Sequence, residues 1–204
     1  MDKLFREKVN TKKFKYDLTI KDREKLLNQK SIFILITGLS GSGKSTIANS
    51  LNIMLHHHDN VSYVLDGDSI RSGLNSDLDF SIQSRTENIR RVGELSNFFL
   101  DAGIITIVPV ISPLKKHRDL IKRIVSKEKF FLVYLSTSID ECIRRDVKGL
   151  YKKAINNEIK NFTGISSPYE VPFSPDIKID TKNYSIKESS QLIFDKIMNR
   201  INNE

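Results

Sequence analysis

The residues Gly38-Leu39-Ser40-Gly41-Ser42-Gly43-Lys44-Ser45 place three glycines, a lysine and a hydroxyl at the G-x-x-x-x-G-K-[ST] spacing. The chemistry such a run performs is the cradling of a polyphosphate. The glycines let the backbone curl until successive N–H groups face one anion, and a helix starting at Lys44 adds the positive end of its dipole. Lys44 would reach the β- and γ-phosphates. The Ser45 hydroxyl is placed to ligate Mg²⁺, an ion that keeps several waters and bridges substrate phosphates.

A second group begins at Leu65-Asp66-Gly67-Asp68. Its two carboxylates close a short apolar run, at the carboxyl end of a strand where open α/β sheets hold ligands. There a carboxylate can accept a hydroxyl proton or position Mg²⁺ through water, although Asp-Gly-Asp is also plain turn chemistry. Beyond it come Arg71, Phe80, Arg85, Asn88, Arg90 and Arg91. Arg85 and Asn88 are three residues apart, so one helix face would carry both a guanidinium and an amide, a pair suited to a small anion. Arg90 and Arg91 read as surface ion pairs worth under about 1 kcal/mol.

Two other nucleotide-using classes fall away. A switch GTPase needs N/T-K-x-D after a later strand, and Ser138-Ile139-Asp140 follows Phe130 to Thr137 instead. No apolar strand ends in Asp-Glu, as a motor-type ATPase would require. The carboxylates beside the phosphate loop favour a kinase acting on a small molecule, and the basic flank motivates a rival reading, a catalytically idle nucleotide-binding or nucleic-acid-binding module.

The elements that must hold these groups are legible from periodicity. Continuous apolar runs at residues 31–37, 62–65, 104–111, 130–135 and, more weakly, 177–179 predict strands buried in a parallel sheet. Residues 44–57, 84–101, 115–127, 139–145 and 186–201 repeat apolar positions at helical spacing. The alternation predicts an α/β fold of the P-loop NTPase type, with about five parallel strands and helices on both faces. Residues 1–30 read as a basic flank in which Thr19 and Asp22 cap a short helix, and residues 31–204 as the kinase domain. Residues 146–175 break the pattern: the first half is charged and weakly periodic, and Pro168, Pro172 and Pro175 lie in the second. Such a stretch predicts a mobile lid.

Composition bounds the rest. In 204 residues, 39% are hydrophobic and 28% charged, which is the balance of a globular chain. Of the net +8, the first 30 residues carry +5, so the remainder is close to neutral and predicts no nucleic-acid partner. The N-terminus has no secretory apolar stretch and no run approaches the roughly 20 residues of a membrane span, so a cytoplasmic protein with no membrane partner is expected. Cys142 stands alone and reads as a small buried residue. His56, His57 and His58 point in three directions on a helix and read as a solvated helix end. Lys115, Lys116, His117 and Arg118 read as a basic helix face or a help to polyanionic ligands.

Taken in order, GLSGSGKST (38–46), LDGDSIRSGLN (65–75), DLDFS (77–81), ENIRRVGE (87–94), ISP (111–113), RRDVKGLYKKA (144–154) and FTGISSPYE (162–170) resemble the adenylyl-sulfate kinase (APS kinase) family. The resemblance covers residues 19–204. It implies transfer of a phosphoryl group from ATP to the 3′-hydroxyl of adenylyl sulfate, with Mg²⁺, in sulfate assimilation by a homodimer. By matching position, Gly38, Leu39, Ser40, Gly41, Ser42, Gly43, Lys44, Ser45 and Thr46 would bind ATP. Asp66 and Asp68 would serve the 3′-hydroxyl and the waters of a metal on Ser45, while Arg71, Arg85 and Asn88 would hold the acceptor's anionic groups. Phe80 and Phe162 would sandwich its adenine, with Ile111, Ser112, Gly149, Leu150 and Thr163 lining the site and Lys148 stabilising the moving charge. The family labels the Ser112 position a phosphoserine intermediate; no base adjoins it in sequence, and in-line transfer needs no covalent step. Ser69, Ser72, Asp79, Ser84 and Val110 depart from the family pattern around the acceptor pocket. They motivate a second reading, a related kinase for a different nucleotide-linked acceptor.

Overall fold

A computed structural model describes residues 14–202. The first 13 residues of the basic flank, and with them part of the flank expected over 1–30, lie outside the described residues. Five strands, β1 (Phe33–Thr37), β2 (Ser62–Val64), β3 (Ile105–Pro109), β4 (Phe130–Leu135) and β5 (Ile177–Ile179), form one parallel sheet in the order β2-β3-β1-β4-β5.

Strand β1 sits at the centre because it can be dry on both faces: all five of its residues are buried. Its side chains alternate between two cores. Ile34 and Ile36 face α2 (Lys44–His57) and α8 (Ile186–Asn202), where they meet Leu51, Leu55, Ile193 and Ile197. Phe33 and Leu35 face α4 (Ile82–Asp101) and α5 (Lys115–Val125), among Ile89, Val92, Ile121 and Val125. Each such side chain, fully withdrawn from water, contributes about 1.5–3 kcal/mol. Two cores on one sheet therefore hold the carboxyl ends of β1, β2 and β3 in fixed relation.

The short helix expected at the N-terminus is α1 (Ile20–Leu26), entered by a capping box between Thr19 and Asp22. Two helices were not legible from periodicity. Gly67–Ser72 forms α3, six residues whose N-terminus is capped by the Asp66 side chain. Leu150–Ile155 forms α7, so the irregular stretch expected over 146–175 contains a helix, with α6 (Ile139–Arg145) ahead of it. Six residues are too few to display a 3.6-residue repeat; what holds α7 is the burial of Tyr151 and Ala154 beneath exposed lysines.

Candidate active site

The phosphate loop leaves β1 at Gly38 and enters α2 at Lys44. Its glycine is needed on steric grounds at Gly38, where a Cβ would lie 2.8 Å from both the Leu135 carbonyl and Ser42 Oγ. The loop is braced from behind by Thr181, whose hydroxyl donates to the Ser42 carbonyl at 3.0 Å while Arg145 donates to Thr181. Lys44 Nζ donates to the carbonyls of Gly38 (3.1 Å) and Leu39 (2.7 Å), and burial pushes its pKa down to about 8. A cation held in this way is one whose hydration has been stripped but whose charge is uncompensated, which an incoming polyphosphate would supply. Because the pKa of the free protein governs kcat/KM, kcat/KM for ATP is expected to fall as pH rises through about 8, where Lys44 loses its proton. A pH–rate profile checks this, and a flat limb to pH 9 would count against it.

The carboxylate pair divides its work by geometry. Asp66 Oδ1 accepts the backbone N–H groups of Asp68 (3.0 Å) and Ser69 (3.2 Å), and Oδ2 accepts the Ser45 hydroxyl at 3.1 Å. It is thereby tied to the phosphate loop. Asp68, exposed two residues on, reaches the other way and pairs with Lys148 Nζ at 2.5 Å, joining α3 to the segment ahead of α7.

Beside this pair lies a stacking and anion-binding group. The Arg71 guanidinium lies 4.5 Å from the centroid of the exposed Phe80 ring, and Arg85 lies 5.8 Å from it. Arg85 also donates through Nε to the Phe80 carbonyl (2.9 Å), through Nη1 to Thr163 Oγ1 (3.1 Å) and through Nη2 to the Asn161 carbonyl (2.7 Å). It clamps the start of α4 to the loop that carries Phe162. Among the described residues neither arginine has a carboxylate within ion-pairing distance. Burial lowers the pKa of both, and Arg71 adds to the effect on Arg85. Two half-buried cations flanking one ring call for an anion.

Not every expected neighbour joins them. Asn88 is buried, and its Oδ1 accepts from Asn75 Nδ2 at 3.0 Å, so the shared face with Arg85 does not present a free amide oxygen. Ser112 is buried with φ of 39°; its carbonyl accepts from Arg118, and its hydroxyl has no partner within the protein. The Ile111 carbonyl is taken by the Thr37 hydroxyl. Thr46 is exposed on the loop's helical side, and Gly149 supplies the left-handed turn (φ 64°) from which Leu150 starts α7. Arg90 and Arg91 pair with Glu87 and, for Arg91, with Asp77. The basic run from Lys115 is not a uniform solvent face: His117 is fully buried against Thr86, and Arg118 is buried on the Ser112 and Glu170 carbonyls.

The residues that depart from the family pattern have local roles. Asp79 accepts from the backbone and hydroxyl of Ser81, which caps α4, and the Ser84 side chain bonds to Asp79 as well, holding its pKa at about 2. The Ser69 carbonyl accepts the Ser72 hydroxyl, and Val110 packs against Gly67. Tyr151 was missed as a site residue. Its hydroxyl donates to the Ser40 carbonyl at 3.0 Å, and the available signal was a lone aromatic residue within a charged stretch.

A model of the adenylylsulphate kinase family matches residues 30–180. The chain belongs to that family. An adenylyl-sulfate kinase of Bacteroides thetaiotaomicron is 50% identical over 184 residues, covering 90% of this chain and 92% of the relative. A probable adenylyl-sulfate kinase of Bacillus subtilis is 48% identical over 179 residues, covering 88% and 90%. The structure of the Mycobacterium tuberculosis APS kinase in complex with AMPPNP and APS superposes with a TM-score of 0.80 at 42% identity, over 83% of this chain and 98% of that one. The chain thus shares its fold with relatives of about its own length, in agreement with the α/β P-loop architecture expected from the sequence.

Proposed function

We propose that the chain transfers the γ-phosphoryl group of ATP to the 3′-hydroxyl of adenylyl sulfate, releasing ADP and 3′-phosphoadenylyl sulfate. The observation that carries the residue assignment is the carboxylate pair at the start of α3, with Asp66 bonded to Ser45 of the phosphate loop and Asp68 to Lys148 of the opposite segment. A hydroxyl placed between them would face the γ-phosphate. Its oxygen attacks phosphorus as the bond to the β-phosphate oxygen breaks, Asp68 takes the hydroxyl proton, and ADP carries away the electron pair. Lys44 and Lys148 stabilise the charge on the moving group from either side.

Ser45 and Asp66 offer hard oxygen donors of the kind Mg²⁺ accepts beside substrate phosphates, so the residues present fit that ion. When bound it would neutralise charge on the β- and γ-oxygens. Arg71, Arg85 and the Phe80 ring would receive the acceptor's anionic groups and adenine, with Phe162 closing the other face. Asp79, Ser69, Ser72 and Ser84 serve turns and caps, so their departure from the family pattern does not itself favour a different acceptor. No helix among the described residues is long and apolar enough to cross a membrane. A cytoplasmic homodimer remains the companion reading, and a monomer mass by light scattering would overturn the dimer.

An ADP-release assay with adenylyl sulfate, run beside other nucleotide acceptors, tests the reading. Turnover of another acceptor with none of adenylyl sulfate would sink it. Phe80→Ala is expected to raise KM for adenylyl sulfate about tenfold, since stacking of a base on an aromatic ring is worth ~1–3 kcal/mol, while KM for ATP stays within about twofold. Equal effects on both would argue against stacking there.

A further inference from the structure

We propose that Tyr151 is a positioning residue that ties the phosphate loop to the acceptor's closing aromatic residue, so that one side chain sets the geometry of both substrate sites. The inference rests on the assignment of Gly38–Ser45 to ATP and of Phe162 to the acceptor.

Tyr151 lies in the first turn of α7 and is 1% exposed, whereas Val147, Lys148, Lys152 and Lys153 around it face solvent. A large ring is therefore driven inward from a segment whose neighbouring side chains mostly face solvent. Its hydroxyl donates to the Ser40 carbonyl. In a trans peptide the carbonyl of Ser40 and the N–H of Gly41 point to opposite sides of the chain. Anchoring that carbonyl on α7 turns the Gly41 N–H away from the helix, an orientation the phosphate loop needs if the amide is to face an anion. Gly41 itself is backed by Cys142, whose carbonyl would lie 3.3 Å from a Cβ placed there.

The same ring meets Phe162 edge-on, with centroids 5.0 Å apart and planes at 77°. Edge-to-face contact fixes the orientation of the second ring as well as its distance. Phe162 is further held by the clamp of Arg85 on Asn161 and Thr163. Burial raises the phenol's pKa above its usual value, so the hydroxyl remains a donor throughout the working range. Asp146 completes the arrangement by accepting the backbone N–H groups of Tyr151 (2.9 Å) and Lys152 (3.0 Å), which fixes the first turn of α7.

Two variants separate the two ends of this link. Tyr151→Phe keeps the ring and loses only the bond to Ser40. It is expected to raise KM for ATP about fivefold, the loss typical of one neutral hydrogen bond, with KM for adenylyl sulfate within about twofold and kcat little changed. Tyr151→Leu loses the ring as well and is expected to raise KM for adenylyl sulfate by at least about fivefold in addition. Calorimetric titration of each protein with AMPPNP, and of each separately with adenylyl sulfate, reads the same split without turnover. If the leucine variant does not fold, Tyr151→Phe still tests the Ser40 end of the link and Phe162→Leu tests the aromatic end, with weaker adenylyl-sulfate binding expected. The proposal is overturned if Tyr151→Phe leaves AMPPNP binding unchanged, or weakens both ligands equally as a general loss of structure would. If instead the wild-type protein binds AMPPNP but neither binds nor turns over adenylyl sulfate, it is the functional reading that fails.

Discussion

Lys44→Ala is expected to abolish phosphoryl transfer, lowering kcat/KM for ATP by at least about 10³-fold. The side chain is the only part of the loop that brings a full positive charge to the phosphates; the loop's N–H groups and the α2 dipole bring partial charges. Removing a preorganised charge from a partly desolvated site costs more than removing one from water, because the surrounding backbone cannot reorient as solvent does. In the absence of ATP, Lys44 is satisfied by the carbonyls of Gly38 and Leu39, and its lowered pKa records the cost of burying it there. Its truncation therefore relieves a desolvated cation and should not unfold the protein. A steady-state assay together with a thermal melt tests this, and near-normal turnover by the folded variant would refute the loop assignment.

Asp68→Asn is expected to lower kcat by about 10²–10⁴-fold, the range over which a positioned proton acceptor contributes, with KM for ATP little altered. The amide keeps the size of the carboxylate but cannot take the hydroxyl proton. Helix α3 should survive the change, because its cap is Asp66 and not Asp68. Lys148 adds a second reading of the same contact. If Asp68 and Lys148 act as a unit, the double variant Asp68→Asn with Lys148→Ala falls little further than the worse single one, whereas independent roles would multiply. A loss below about fivefold in Asp68→Asn would leave Asp68 as an ion-pair partner and no more.

Much of the site was legible before folding because its parts are local. A phosphate loop is eight consecutive residues whose spacing is itself the geometry, and Asp66 and Asp68 follow a strand only a few residues earlier. The central strands were equally plain, since burial on both faces demands unbroken apolar runs such as Phe33 to Ile36. Helices α3 and α7 were not, because a six-residue helix shows neither a full apolar stripe nor a distinctive composition. Arg85 and Asn88 show what spacing leaves open. The two share a face of α4, but only the fold shows that Asn88 is buried with its Oδ1 accepting from Asn75.

The sequence by itself determined the phosphate-loop motif, the order of the five strands and the longer helices along the chain, and that +5 of the +8 falls in the first 30 residues. Tertiary structure decided which distant residues share work: Asp68 with Lys148, Arg85 with Asn161 and Thr163, and Tyr151 with Ser40 and Phe162. The pairs with Tyr151 and Ser40, 111 residues apart, or with Asp68 and Lys148, 80 apart, have no pattern that spacing could reveal. They exist because one parallel sheet brings the carboxyl ends of its strands to a common edge, and the segments leaving that edge must find partners for their polar groups there.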